Sequence, residues 1–383
     1  MLYALKASST PEITFAEISA KFSANCFLDF YNGYFHCDIP NMNLDNFGSF
    51  PVSYKIIKSF DSSDLDSVLD YIQAENIYFD RFFLESNFLP KFKISEMQRQ
   101  IKKIFKATQR KTGFFDVRNT ASIYHEAKKS KQFGGFGIFK FNRQLHLALF
   151  SQVQDIDSLS IEDFEKPFRD AKLGMLPSKL ALTMINLATI REPSFIYDPF
   201  CGTGTVCFQA LKLGIPTLGS DILQENIEGS QKNLEFLSKK VDFKSSQAEF
   251  KKLDATEITD IPENALIVTE GYLGTPKKGN ETELEFKKDY VTIEKLYFDF
   301  FINLAKQNPN KSFSVVICVP QFKFFRYSKN PEKIFAKLKD YGYIFRTVVP
   351  RNKFGMEDSV SLHYERPNQL VFRNIICLDH IPG

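Results

Sequence analysis

Residues 195–221 read FIYDPFCGTGTVCFQALKLGIPTLGSD, a stretch that few folds accommodate. Three strand-forming residues, Phe195–Tyr197, run into a turn with glycine at 202 and 204. An apolar helical run, a short second strand and Asp221 follow. A strand that turns through glycines into a helix and returns as a strand is the βαβ unit of a parallel sheet. In open sheets of this kind, ligands bind beyond the C-terminal ends of the strands, where the first strand-to-helix turn exposes backbone N–H groups. Gly202 and Gly204 allow the tight bend and leave bare backbone for a ligand to lie against. Asp221 stands 23 residues after Asp198, near the end of the second strand, where an acid takes both hydroxyls of a ribose. The loop opens with an acid and lacks G-x-G-x-x-G, so it suits a cationic moiety rather than a pyrophosphate. An adenosine bearing a sulfonium and an amino-acid ammonium meets that description.

The surrounding pattern supports a doubly wound sheet. Pro177 opens a helix with Leu180, Met184 and Leu187 on one side. Beyond it, strands at 217–220, 265–268, 313–319 and 344–349 alternate with helical runs at 204–213, 223–237, 283–306 and 331–339, the order of a mostly parallel α/β fold. Leu362–Tyr364 and Leu370–Leu378 are expected to finish the sheet with an antiparallel edge. The polar stretch 152–172, with Pro167, reads as a linker between halves.

The first half is of a different style. A strand at Leu2–Leu5 precedes a helix expected to be capped by Thr14, with Glu17 three residues on. A second strand, Tyr54–Ile57, and a helix after Ser63 repeat the arrangement. Ile94, Met97, Ile101 and Ile104 then form the apolar stripe of a helix whose other face is basic. Gly134, Gly135 and Gly137 precede a hairpin turning at Asn142-Arg143. They lack the strand-then-helix context of a phosphate loop and read as structural.

Charge is unevenly spread. The net charge is only +3, yet residues 1–90 carry twelve acids and five bases, whereas 91–143 carry fourteen bases and three acids. The basic set, notably Lys102, Lys103, Lys106, Arg110, Lys111, Arg118, Lys128, Lys129 and Lys131, is interleaved with Phe114, Phe115 and Tyr124. Such a set suits a polyanion such as RNA, which it binds by counterion release, and also suits a solvated helix face. Six cysteines lie far apart without Cys-x-x-Cys, and the five histidines show no ligand spacing, so no metal is expected. No apolar run reaches the roughly eighteen residues of a membrane span, so no membrane association is expected. With no basic-then-apolar leader, the cytoplasm is the expected location.

DPFCGTGT (198–205) resembles the S-adenosylmethionine loop of amino-group methyltransferases. RDAKLGMLPSKLALTMINLA (169–188) and LGSDILQENIEGSQKNLEFL (218–237) are similar to segments of the THUMP-domain tRNA guanosine-N2 methyltransferases that act on guanosine 10. The opening LYALKASSTPEITFAEISAKF resembles their ferredoxin-like start. The resemblance implies an α/β chain of three parts: a ferredoxin-like domain (1–72), a THUMP-like RNA-binding domain (73–155) and a Rossmann-like class I methyltransferase domain with a mostly parallel seven-stranded sheet (156–383). It implies S-adenosylmethionine as cofactor and tRNA as partner, with a small activator subunit as a further possible partner. Carried over residue by residue, Asp198, Pro199, Cys201, Gly202 and Gly204 line the methionine side, Asp221 and Ile222 the ribose and adenine, and Asp254 and Ala255 the adenine edge. Met175, Leu176 and Pro177 border the same pocket. Asp254 also reads as a helix cap and Pro177 as a helix start.

At the catalytic strand end the family has an Asp or Asn, two prolines and an aromatic, whereas this chain has Thr269-Glu270-Gly271-Tyr272. Aligned without a gap, Glu270 takes the acid's place and Tyr272 falls at the second proline; with Tyr272 as the stacking ring instead, the segment is one residue short of the family pattern. An exocyclic guanine amine is a poor nucleophile because its lone pair is delocalised into the ring. A carboxylate that accepts its hydrogens localises that pair, and it can take the released proton. A DNA adenine-N6 methyltransferase and an RNA-binding protein with a vestigial cofactor site are the alternatives. LHYERPNQLVFRNI (362–375) resembles the family's closing segment, with Tyr364 and Arg366 on the base side or simply packing.

Overall fold

The computed structural model describes residues 1–382 apart from 62–63, 170–174, 189–194, 242, 244, 263–264, 278, 324–334, 353 and 366–368. The chain forms two compact units: Met1–Thr14 with Phe22–Ile156, and Phe15–Lys21 with Asp157–Gly383.

The strands of the first unit are β1 (Leu2–Lys6), β2 (Phe27–Tyr31), β3 (Tyr34–Asp38), β4 (Val52–Phe60), β5 (Arg81–Ser86), β6 (Gly113–Phe114), β7 (Phe133–Phe141) and β8 (Gln144–Val153). Between them in the chain run the helices α1 (Pro11–Phe22), of which Phe15–Lys21 belongs to the second unit, α2 (Asp66–Ala74), α3 (Lys91–Ala107) and α4 (Thr120–Ala127). All eight strands join one sheet in the order β2-β3-β1-β4-β8-β7-β5-β6. Among the described residues its parallel pairings are two, β5 with β7 and β5 with β6. Residues 72 and 73 both lie within α2, and the sheet runs unbroken across that point in the chain.

α1 begins at Pro11, three residues before the expected cap, because the fixed φ of proline suits a first helical turn. Thr14 lies inside the helix. Its hydroxyl accepts from the Ser8 N–H (3.0 Å) and donates to the Ser49 carbonyl (3.0 Å). α3 buries Met97, Ile101 and Phe105 and exposes Lys103 and Lys106, as an amphipathic period requires. The hairpin joining β7 and β8 turns on Asn142 (φ +47°) and Arg143 (φ +66°), the left-handed pair of a two-residue turn. The β7 glycines serve packing. A Cβ at Gly134, Gly135 or Gly137 would fall 2.1, 2.4 or 2.2 Å from the rings of Phe79, Phe83 and Phe139. The phenylalanines thus occupy the space that side chains on β7 would otherwise fill.

The second unit contains α5 (Ile156–Ser160), α6 (Ser178–Ala188), β9 (Phe195–Asp198), α7 (Thr205–Lys212), β10 (Thr217–Asp221), α8 (Gln224–Ser238), β11 (Ala248–Lys252), β12 (Ala265–Glu270), α9 (Glu283–Gln307), β13 (Phe313–Phe322), β14 (Tyr343–Phe345), β15 (Ser361–Tyr364) and β16 (Val371–His380). Its sheet runs β11-β10-β9-β12-β13-β16-β14, with β15 also pairing to β16. The first five are parallel and β16 is antiparallel to β13. The seven expected positions are therefore present, one of them split. β14 pairs with residues 378–380 of β16 and β15 with 373–376. Strand order reverses between β9 and β12, which opens a crevice at their C-terminal ends.

Three expectations need correction here. β16 lies inside the sheet rather than at its edge, because its apolar run Ile375–Leu378 is fully buried and ten of its residues pair with β13. The strand expected at 344–349 stops at Phe345. The stretch expected as a linker does hold the boundary between the two units, after Ile156, yet it is largely built into the fold: β8 runs to Val153, and Glu162 and Lys166 are buried among polar partners. β11 is an addition, since its polar sequence AEFKK gives no strand signal. Of the helical run expected at 331–339, residues 331–334 lie outside the described residues and Ala336–Tyr341 forms a 3-10 turn. α6 is buried nearly all round, which explains its apolar sequence. The six cysteines are buried free thiols. No described helix is long and apolar enough to cross a membrane.

Candidate active site

The crevice between β9, β10 and β12 consists of two adjoining hollows, both open to solvent. Asp198, Cys201, Thr203, Thr205 and Met175 help line the first, and Pro199, Asp221, Ile222, Asp254, Gly271 and Tyr272 the second. Phe200, Gly202, Asn226 and Glu270 border both.

The loop after β9 is held from below. The Cys201 N–H donates to the Ser220 carbonyl (2.9 Å), the Gly204 N–H to the Cys201 carbonyl (2.7 Å), and the Ser230 hydroxyl to the Gly202 carbonyl (2.8 Å). Both glycines are left-handed, Gly202 at φ +50° and Gly204 at φ +79°. A Cβ at Gly204 would press on Ser230 at 3.2 Å, so this glycine allows loop and α8 to approach. A Cβ at Gly202 would meet nothing nearer than the Phe200 carbonyl oxygen at 3.9 Å; it would protrude into the crevice. Bare backbone bordering open space is a cradle for a ligand, and the set of donors and acceptors around it fits an adenosine with a cationic tail.

Asp198 is 2% exposed. Its Oδ1 accepts from the Thr269 hydroxyl (2.6 Å) and the Phe200 N–H (3.3 Å). Burial pushes its carboxyl up to about 7, with Asp221 and Glu270 adding to the rise, while the two hydrogen bonds oppose it. A carboxylate this poorly compensated favours a cation beside it. Asp221 accepts from the N–H of Gly202 (3.0 Å) and of Leu223 (2.9 Å), which fixes the carboxylate at the mouth of the second hollow. Ile222 and Leu223, each 57% exposed, give the second hollow an apolar rim.

Glu270, at the end of β12, forms a buried ion pair with Arg373 of β16, whose Nε donates to Oε1 at 2.5 Å. Burial raises the Glu270 carboxyl above the ordinary range, and Arg373 opposes the rise. Gly271 has a packing reason. A Cβ there would fall 2.5 Å from the Tyr297 hydroxyl and 2.7 Å from its ring, and that hydroxyl donates to the Tyr272 carbonyl (2.8 Å). Tyr297 of α9 thus fills the space beside the strand end and ties down the following residue. Tyr272 is 37% exposed and lines the second hollow.

The remaining site residues named from sequence fall as follows. Thr269 is fully buried beneath Asp198 and does not line the crevice. Asp254 lines the second hollow and also caps a 3-10 turn through the Thr256 N–H (2.8 Å); Ala255 follows it into the wall. Pro177 is buried at the start of α6 and lies outside both linings, whereas Met175 and Leu176 belong to the first. Arg366 lies outside the described residues. Sequence reasoning missed Arg373, Tyr297, Asn226 and Lys166. A lone arginine in the apolar run LVFRNIICL was a usable sign of a buried ion pair; the other three gave none.

The basic residues lie in the first unit. Lys103, Lys106, Lys111, Arg118, Lys128, Lys129 and Lys131 are exposed, and Lys102 and Arg110 half-buried. Several rest on aromatic faces: Lys102 on Phe114 (5.5 Å), Arg110 on Tyr78 (4.9 Å) and Lys128 on Tyr124 (4.4 Å). Lys129 pairs with Glu126 at 2.6 Å.

Residues 168–270 match the family described as RMKL-like, methyltransferase domain. The tRNA (guanine(10)-N2)-dimethyltransferase of Methanothermobacter thermautotrophicus is 38% identical over 58 residues, 15% of this chain and 17% of that protein. Its counterpart in Methanocaldococcus jannaschii is 48% identical over 48 residues, 12% and 13% of the two chains. The matches therefore span less than a fifth of these relatives. TrmN from Thermus thermophilus shares the fold along the whole of both chains, at a TM-score of 0.55 and 14% identity.

Proposed function

We propose that the protein uses its second unit, of which residues 168–270 match an RMKL-like methyltransferase domain, to methylate the exocyclic N2 amine of a guanosine in tRNA, guanosine 10 being the first candidate. One arrangement carries this reading: the Gly202 cradle, Asp198 and Glu270, the last backed by Arg373, all border a single crevice at the switch point of the sheet. The partial relatives, named for guanine-N2 chemistry, point the same way.

S-adenosylmethionine, when bound, supplies an electrophilic methyl on a positively charged sulfur. Asp198 and the loop backbone hold the ammonium of its amino-acid end, Asp221 the ribose, and Ile222, Asp254 and Ala255 the adenine. Arg373 engages Oε1 of Glu270 and keeps the carboxylate ionised in a buried setting. Oε2 is then free to accept a hydrogen of the guanine amine, which turns the nitrogen lone pair out of conjugation. The proton lost as the nitrogen gains its methyl passes to Glu270. Tyr272, its carbonyl pinned by Tyr297, offers an exposed ring on which the base stacks. Gly271 takes the place of a proline because Tyr297 supplies the rigidity that a pyrrolidine ring gives elsewhere.

The basic set of the first unit supplies affinity for the RNA backbone, and the cation–aromatic contacts hold its long side chains extended. Incubation with S-adenosylmethionine and unmodified tRNA, followed by nucleoside mass spectrometry, should yield N2-methylguanosine or its dimethyl form. Absence of both, with tRNA and donor still bound, would remove the proposal. A requirement for a small activator subunit would show as activity restored by cell extract.

A further inference from the structure

Behind the loop lies a buried cation that neither donor nor base contacts require. Lys166 is 4% exposed, and its Nζ donates to Thr205 Oγ1 (2.9 Å) and Thr203 Oγ1 (3.1 Å). Both threonines line the first hollow together with Asp198 and Gly202. A lysine ammonium is donor-only, so each hydroxyl oxygen acts as an acceptor toward it and keeps its own proton for another partner. The two hydroxyls lie 3.4 Å apart, and a bond between them uses at most one of those protons. At least one O–H is therefore left over, on a side chain that lines the hollow and is backed by a positive charge. The neighbouring acids are otherwise engaged: Glu162 accepts from Gln209 (2.7 Å) and pairs with Lys212, and Asp163 accepts from the Ser178 N–H (2.9 Å) and hydroxyl (2.7 Å).

We propose that Lys166 is a positioning residue that, by orienting the hydroxyls of Thr203 and Thr205 toward the first hollow, builds a carboxylate-binding corner for the amino-acid end of the donor. The inference rests on the S-adenosylmethionine reading above. It divides the hollow by charge. Asp198 takes the cationic groups, and the two threonines take the anionic one. A buried charge that acts through hydroxyls polarises their O–H bonds without placing an exposed ammonium where it would compete with the sulfonium.

Burial lowers the Lys166 ammonium to about 8, Asp163 and Glu162 oppose the fall, and Arg169 adds to it. The corner should consequently weaken in mildly alkaline solution.

The test compares two ligands on the full chain by calorimetry. S-adenosylhomocysteine carries the amino-acid end, whereas 5′-methylthioadenosine keeps the adenosine and sulfur without it. Lys166→Met should lose about tenfold to a hundredfold in affinity for S-adenosylhomocysteine, the worth of a hydrogen bond to a charged group, and bind 5′-methylthioadenosine as the wild type does. Lys166→Arg should keep most of the affinity and abolish its decline between pH 7.5 and 9. Thr203→Val and Thr205→Val should each reproduce the selective loss, which keeps the test open should Lys166→Met not fold. Equal loss of both ligands would reduce Lys166 to loop packing and overturn the proposal, as would no loss of either. A wild type that binds neither ligand would instead defeat the donor reading itself.

Discussion

Replacing Asp198 with asparagine should stabilise the ligand-free protein in neutral and alkaline buffer while crippling donor binding. The folded-state carboxyl titrates at about 7 against an ordinary value of 3.8, roughly three units, mainly because it is buried. At about 1.4 kcal/mol per unit, ionisation in the folded state costs about 4 kcal/mol. The sign follows from proton binding. Above pH 4 the unfolded chain releases this proton while the folded protein keeps it, so stability is lost as pH rises from about 4 to about 7 and stays lost above that. Asparagine cannot ionise, and its Oδ1 still accepts from Thr269 and Phe200. The difference between variant and wild type should thus be at most about 1 kcal/mol at pH 4.5 and grow to about 2–4 kcal/mol at pH 8, the upper figure being a ceiling. Urea unfolding followed by circular dichroism suits a chain without tryptophan. Parallel stability profiles, or a variant less stable at pH 8, would show that Asp198 is ionised and compensated in the empty site, and the electrostatic account of the crevice would fail. In the wild type, S-adenosylmethionine affinity should rise with pH up to about 7, because a bound cation favours the ionised form.

Glu270→Gln should bind S-adenosylhomocysteine normally yet lose about a hundredfold or more in kcat, measured with saturating tRNA. Arg373→Met leaves the Glu270 carboxyl buried without its cation, so the acidic limb of the kcat profile should move up by about one to three pH units. Gly271→Ala forces a Cβ to within 2.5 Å of the Tyr297 hydroxyl and should cost about 1–3 kcal/mol in urea unfolding. Reversing Lys102, Lys103 and Lys106 to glutamate should weaken tRNA binding and flatten its logarithmic salt dependence by about two to three, with S-adenosylhomocysteine affinity unchanged.

Sequence alone determined the features set by neighbouring residues. A bend that needs left-handed backbone at 202 and 204 is written in its own glycines. The pairing of Asp198 with Asp221 follows from the fixed length of one strand–helix–strand unit. The turn at Asn142-Arg143 and the basic face of α3 are local in the same sense. Tertiary structure decided everything that depended on which distant residue arrives at a given spot. Glu270 meets Arg373 only because β16 inserts beside β13, and Gly271 makes sense only against Tyr297, 26 residues later on α9. Lys166 looked like part of a polar connector until the fold placed Thr203 and Thr205 over it. Backbone preferences act over a few residues and can be read in order, whereas the compensation of a buried charge is settled by chain topology, which brings its partner from anywhere in the sequence.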